Sequence, residues 1–304
     1  MTKRLFTFGC SFTHYIWPTW ANILSLEFDQ FENWGMAGGG NHLILYSLIE
    51  AIQRQNIGPS DTVAIMFTSV GREDRWLKRK WHCPGSVYNS DLDEKYIQQF
   101  TDPTGFYLTN VTVIDSIVKI LQNIGCHYYL MSTVPFGVVD DSWLRRTFKL
   151  KKDVTEQVNN LYQSSLQQIK PSVFELIFNN DWDSRSNFII PAARLRVLDS
   201  FKKRYTECAG KDWPGFKNFI TGNTHDISNS ILKEIDVQFD FFNWREKVNN
   251  YRQDNHPIPL EHLEYLKKVG FCITDRQQNF AHQWNQRVLS EENIEWTNPI
   301  IKRF

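Results

Sequence analysis

Through the first 135 residues, short continuous apolar runs alternate with longer stretches in which apolar residues return every three or four positions. Leu5 to Phe8, Thr62 to Thr68 and Tyr128 to Val134 are runs of the first kind, bounded by turn-forming residues, and predict buried strands. Phe31 to Trp34 predicts a shorter one. Between them, Pro18 to Phe28 carries a stripe through Trp20, Ile23, Leu24 and Phe28, and about His42 to Gln55 carries one through Leu43, Tyr46, Ile49 and Ile52. Asn41 is the expected N-cap of that second helix. Val111 to Ile124 predicts a third amphipathic helix, closed by Gly125. Four strands separated by helices predict an α/β fold, a doubly wound parallel sheet, in which ligands bind at the carboxyl ends of the strands.

From about Asp140 to Asn250 the alternation is lost. Helical stretches there mix with aromatic-rich loops such as NNDWDSR and GKDWPGF, which predicts a mostly helical insertion. The pattern resumes in HPIPLEHLEYLKKVG, where an early proline and the spacing of Leu260, Leu263 and Leu266 predict a last packed helix. The expected organisation is a core formed by residues 1–139 and 251–304, interrupted by the insertion at 140–250.

Charge changes this picture little: 34 basic side chains balance 34 acidic ones, so no global field favours nucleic acid or a membrane surface, and neither is an expected partner. The five cysteines form no CxxC pair and lie far apart, which points away from a disulfide framework or zinc ribbon and toward a reducing compartment. No HExxH or comparable spacing occurs among the eight histidines, so neither a metal nor another cofactor is expected. The N-terminus reads as a first strand, not a signal peptide, and no run reaches the roughly 18 apolar residues of a membrane span. The expected location is cytoplasmic.

Three fragments could carry chemistry. In FTFGCSFT, Ser11 follows directly on a predicted buried strand, where its side chain would enter the ligand crevice, although serine in that position also serves as a turn former or cap. Cys10, on the opposite face by strand alternation, reads as a core residue. In NWGMAGGGN, three glycines precede a helix start, where free N–H groups can stabilise an oxyanion. Neither GxGxxG nor the P-loop pattern can be drawn through them. In Asp254-Asn255-His256-Pro257, an imidazole suited to general-base work lies beside a carboxylate able to orient it.

Together these fragments resemble the SGNH, or GDSL-like, hydrolase family. The resemblance implies a flavodoxin-like three-layer sandwich and a serine esterase with Ser11 as nucleophile, His256 as base and Asp254 as its partner. NWGMAG matches the family's Asn-x-x-x-x-Gly turn, which implies that the backbone N–H groups of Ser11 and Gly38 form the oxyanion hole. Two departures stand out. Where the family's third block ends a strand in GxND, TVAIMFTSVGRED has Val70 at the Asn position, so Asn41, Ser69 or Arg72 is left to supply the third donor. The last block reads Asp-x-His where Asp-x-x-His is usual.

The expected activity is hydrolysis of a small ester through an acyl-Ser11 intermediate, with an O-acetyl group on a carbohydrate as the candidate substrate. Acyl transfer on the same scaffold and a non-catalytic binding module are the alternatives. Two other features take plainer readings. His262 falls on the last helix as a packing or capping residue, and DRWLKRKWHC, with Trp76 and Trp81 among the basic residues Arg75, Lys78, Arg79, Lys80 and His82, reads as a solvated loop.

Overall fold

A computed structural model describes residues 2–83, 85–88, 94–136, 150–181, 256–290 and 301. The chain divides into two units: one comprises Met1–Asn180, His256–His282 and Trp296–Phe304, the other Asp181–Asn255 and Gln283–Glu295.

The first unit is built on four parallel strands, β1 (Arg4–Phe8), β2 (Gln30–Asn33), β3 (Thr62–Phe67) and, after the elements introduced below, β6 (His127–Ser132), in the order β2-β1-β3-β6. Leu5 pairs with Phe31 on one side and Thr62 on the other, so β1 is central and the chain reverses its winding direction there. In such sheets the crevice between β1 and β3, beyond their carboxyl ends, is the place for a ligand. The residue after β1 is therefore placed by topology.

Alternation along the strands divides the core. Phe6 and Phe8 of β1, with Val63, Ile65 and Phe67 of β3, form one cluster with Ile44, Leu48 and Ala51 of α2 (Asn41–Gln55). Val111, Ile114, Ile117 and Leu121 of α4 (Pro103–Ile124) belong to the same cluster, which places these two helices on that face. α1 (Trp20–Ser25) packs instead with α8 (Pro259–Lys268). Burying an apolar side chain of this size contributes about 1.5 to 3 kcal/mol, so clusters like this dominate the stability of the sheet.

The helix boundaries show which local signals matter. α4 begins eight residues before the expected Val111, because Asp102 caps it by accepting from Thr104 N and Pro103 fills the first turn. Its first turns carry Thr104 and Gly105, which break the apolar stripe. α2 is capped at Gly40, not at the expected Asn41, which is its first residue. The capping carboxylate comes from afar: Asp74 accepts from Gly40 N and Leu43 N, both at 2.8 Å.

The expected solvated loop at 74–83 is a β-hairpin. β4 (Arg75–Leu77) and β5 (Lys80–His82) pair antiparallel, with Trp76 opposite Trp81. Lys78 and Arg79 make the turn at φ 51° and 63°, the left-handed conformations of a two-residue hairpin turn. That region costs a residue with a Cβ about 1 to 2 kcal/mol, and the usual Asn-Gly is absent, which is why the sequence conceals the turn. α3 (Glu94–Phe100) follows.

The sheet's unit also extends beyond the boundary expected at 139. α5 (Lys152–Leu161), α6 (Gln163–Leu166) and α7 (Val173–Leu176) belong to it. Leu150, Val158 and Leu166 enter the core beside α4, Ser165 Oγ donates to Asp115 at 2.7 Å, and Lys170 N donates to Leu130 O of β6 at 2.8 Å. The rest of the expected insertion, 140–149 and 182–250, lies outside the described residues. α9 (Asp275–Leu289) begins in the first unit and ends in the second, where Arg287 lies 4.8 Å over the Trp284 ring.

Candidate active site

β1 ends at Phe8, and Gly9 and Cys10 lead into the turn that carries Ser11. A Cβ on Gly9 would lie 2.1 Å from Thr13 Oγ1 and 2.9 Å from Met66 O, so only glycine lets this turn close against β3. Cys10 Oxygen holds the turn by accepting from Thr13 N and His14 N. The Cys10 side chain is fully buried, as expected of a core residue. Ser11 is 8% exposed.

The Ser11 hydroxyl meets His256 Nε2 at 2.7 Å, across 245 positions of sequence. Three aromatics from the segment just after Ser11 hold the imidazole's surroundings. Tyr15 stacks on the His256 ring at 3.9 Å between centroids and 14° between planes, and Phe12 meets it edge-on at 5.3 Å. Trp17, fully buried, donates its indole N–H to Pro257 O at 2.8 Å, fixing the backbone beside the histidine. Ring stacking and a buried hydrogen bond together restrict an imidazole far more than one contact does. Tyr15, Trp17 and Phe12 had no place in the sequence reading. Their signal was the density of aromatics in SFTHYIW directly after the serine. Asp254 lies outside the described residues.

Asn33, at the end of β2, ties the glycine turn to the serine turn: its side-chain amide donates to Thr13 O at 2.8 Å and its Oδ1 accepts from Gly35 N at 3.0 Å. Met36 N donates to Gly9 O at 3.0 Å. Gly38 follows at φ +77°, and a Cβ there would lie 2.2 Å from Cys83 O, so the backbone passes where no other residue fits. Among the described residues, nothing accepts from the backbone N–H of Ser11 or of Gly38.

The three candidates for a further donor differ. Asn41 is fully buried and both its amide protons are engaged, one by Thr68 O at 3.0 Å and the other by Asn110 Oδ1 at 2.9 Å, while its Oδ1 accepts from Thr68 N. It clamps the end of β3 to α4 and has no proton left for an oxyanion, which corrects that expectation. Arg72 donates to Gly39 O at 3.0 Å and braces the glycine turn from the cavity side. Ser69 Oγ accepts from Gly71 N at 3.4 Å, a weak contact. Val70 is buried in the core.

A cavity of about 410 Å³ opens where α2 and α4 begin, lined by His42, Arg72, Glu73, Asp74, Phe100 and Phe106 among others, and by neither Ser11 nor His256. Its carboxylates already serve the fold, Asp74 and Asp102 as helix caps and Glu73 in an ion pair with Arg75 at 2.7 Å. Burial holds the His42 imidazole below its ordinary range against the opposing charge of Asp74. The seat of an anion at the α2 N-terminus is thus filled by the protein's own carboxylate. Among the described residues no group of His, Cys, Asp or Glu is arranged to hold a metal, and no helix is long and apolar enough to cross a membrane.

No family model matches the chain, and no curated protein does. Among solved structures, it is similar to an acetylxylan esterase from Geobacillus stearothermophilus at 14% identity and a TM-score of 0.33, over 59% of this chain and 80% of that one. A lipolytic G-D-S-L family protein from Veillonella parvula matches at 16% identity and a TM-score of 0.33, over 61% and 86%. A Bacillus subtilis protein, YxiM, matches at 11% identity and a TM-score of 0.32, over 58% of this chain and 45% of that one. Likenesses of this strength carry no argument about activity, so function has to come from the site itself.

Proposed function

We propose that this protein is a serine esterase that cleaves a small acyl group, an O-acetyl group carried on a carbohydrate being the favoured substrate, through an acyl-Ser11 intermediate. The observation that carries the reading is the 2.7 Å approach of Ser11 Oγ to His256 Nε2, at the ligand crevice of a doubly wound sheet. A serine hydroxyl is a weak nucleophile until a base lies within hydrogen-bond reach.

In this reading, Ser11 Oγ attacks the acyl carbonyl carbon while its proton passes to His256 Nε2. The carbonyl oxygen becomes an oxyanion, stabilised by the N–H groups of Ser11 and Gly38. The bond to the alcohol then breaks, and the alcohol leaves with the proton held by His256. Water, deprotonated by the same imidazole, attacks acyl-Ser11 and releases the carboxylic acid. Asp254 is the proposed orienting carboxylate. The π-stack of Tyr15 and the Trp17 anchor keep the ring aimed at Ser11 whichever partner its other nitrogen takes. The carbohydrate part of the reading rests on exposed aromatic side chains, Tyr46 and Trp76, of the kind that stack on sugar faces.

Hydrolysis of p-nitrophenyl acetate by the parent protein, Ser11→Ala and His256→Ala tests the mechanism, with mass spectrometry of the peptide labelled by a fluorophosphonate. Turnover in the parent, a drop of about 10⁴-fold or more in both variants, and the label on Ser11 are expected. Turnover indifferent to Ser11, or a label elsewhere, overturns the assignment. Release of acetate from acetylated oligosaccharides, compared with lipid esters of equal chain length, tests the substrate class.

A further inference from the structure

We infer that the hairpin Arg75–His82 is a docking surface for an anionic polysaccharide, and that this polymer carries the ester presented to Ser11. The choice of a polysaccharide rests on the esterase reading above; the surface itself does not.

Strand alternation gives the hairpin two faces. On one, Trp76 lies opposite Trp81, and Trp81 stacks on Tyr46 of α2 at 5.2 Å between centroids and 25° between planes. Trp76 meets Trp81 edge-on at 5.5 Å and 71°, and Trp76 and Tyr46 remain about half exposed, at 47% and 49%. The result is an open aromatic ledge. At its end the turn presents Lys78 and Arg79, with Lys80 beside them at the start of β5 on the face of Leu77, all exposed, and among the described residues no carboxylate pairs with any of the three. In a chain with 34 basic and 34 acidic residues this cluster is a local feature, and the left-handed turn places two long cations at the tip in spite of its strain.

The ledge is fixed to the proposed oxyanion loop at both ends. Asp74, which leads into β4, accepts from Gly40 N and Leu43 N, and Cys83, which leaves β5, brings its carbonyl oxygen against Gly38. A polymer lying on the rings would therefore run beside the loop that carries Gly38. Rings that stack on sugar C–H faces, next to cations that pair with carboxylate or sulfate groups, fit an acidic glycan. The alternatives fit less well. A nucleic acid's repeating unit offers phosphodiesters and no carboxylic ester, and the edge-on tryptophans leave no parallel slot for successive bases. A membrane would need one apolar face, whereas Trp76 and Leu77 point to opposite faces of the hairpin.

Calorimetric titration of Ser11→Ala protein, which cannot consume a substrate by the proposed route, tests the surface. The probes are an oligogalacturonate, a neutral xylo-oligosaccharide, single-stranded DNA and anionic phospholipid vesicles, each at low and high salt. The oligogalacturonate is expected to bind at least about tenfold more tightly than the neutral oligosaccharide and to weaken as salt rises. The triple variant Lys78→Glu, Arg79→Glu, Lys80→Glu, checked for native thermal unfolding, is expected to lose that advantage, and Trp76→Ala to weaken both sugars. Equal affinity for acidic and neutral oligosaccharides, an unaffected triple variant, or tighter binding of DNA or vesicles than of the oligogalacturonate overturns the proposal. Failure of the esterase reading is registered separately, by p-nitrophenyl acetate turnover in the parent protein.

Discussion

The two ends of the parallel sheet treat polar groups in opposite ways. At the amino end, the Arg4 guanidinium donates to both Asp61 carboxylate oxygens, at 2.7 and 2.6 Å, and to Gln55 O at 3.1 Å, while Gly58 N donates to Asp61 at 2.8 Å. Asp61 has a side chain 1% exposed, and burial alone would raise its carboxyl. The hydrogen bonds from Arg4 and Gly58 and the guanidinium charge hold it below the usual carboxylate range. At the carboxyl end, the hydroxyls of Thr13, Thr68 and Ser132 are buried without a hydrogen-bond partner among the described residues, and the N–H groups of Ser11 and Gly38 likewise have no acceptor there. One end is closed on itself and holds the strands together. The other, beside the clamps made by Asn33 and Asn41, leaves these groups without a protein partner among the described residues, and that is the end where Ser11 meets His256.

The sharpest way to break this contrast is to cross stability with activity. Ser11→Ala should abolish ester turnover yet destabilise the fold by no more than about 1 kcal/mol in urea titrations, the value of one hydrogen bond. Arg4→Met should do the reverse: it strands a buried carboxylate and costs about 3 kcal/mol, with turnover per folded molecule unchanged. Acid sharpens the same point. Because the Asp61 carboxyl is depressed in the folded protein, its contribution is present above the unfolded carboxylate range and is lost as pH falls through the folded value. Asp61→Asn should therefore flatten the acid limb of the stability curve, read by thermal unfolding across pH. If Arg4→Met proved as costly to turnover as to stability, the two ends would not be separable.

A smaller effect is expected at Gly38→Ala. The new methyl would meet Cys83 O at 2.2 Å from a residue at φ +77°, so the backbone must move. The rate constant for p-nitrophenyl acetate should fall by about 100- to 1,000-fold through displacement of one oxyanion donor, with a stability loss of about 1 to 3 kcal/mol. A normal rate with the stability loss would remove Gly38 from the proposed hole.

The smallest change is Arg79→Gly. Relief of one left-handed residue, partly offset by the freedom glycine gains in the unfolded chain, should stabilise the protein by about 0.5 kcal/mol, measured as a shift in the urea midpoint. No gain would mean that the turn is held in place by contacts outside its own backbone.

These contrasts were unevenly legible in the sequence. TVAIMF declared β3 almost to the residue, since a continuous apolar run between turn residues has few other readings, and the strand-helix alternation carried the sheet. Ser11, His256 and the glycine turn were visible as short motifs. What escaped was everything made by partners distant in sequence. Asp74 caps a helix that starts more than thirty residues earlier, and Trp17 anchors the backbone next to His256 from the other end of the chain. Asn41 looked like a cap or an oxyanion donor because its spacing allowed both. Only the positions of Thr68 and Asn110 commit its protons elsewhere. The hairpin was hidden for a local reason, a Lys-Arg pair in a turn where glycine or asparagine is the usual marker.

The aromatic socket for His256 lies within six residues of Ser11, whereas the histidine itself is 245 positions downstream. A ribosome adding about 5 to 20 residues per second emits the two roughly 10 to 50 s apart. During that interval the chain carries Ser11 and its aromatic neighbours without the histidine they pack against. Assembly of the proposed catalytic pair is thus among the last events of the first unit's synthesis, and a chain released before residue 256 would lack the proposed base altogether.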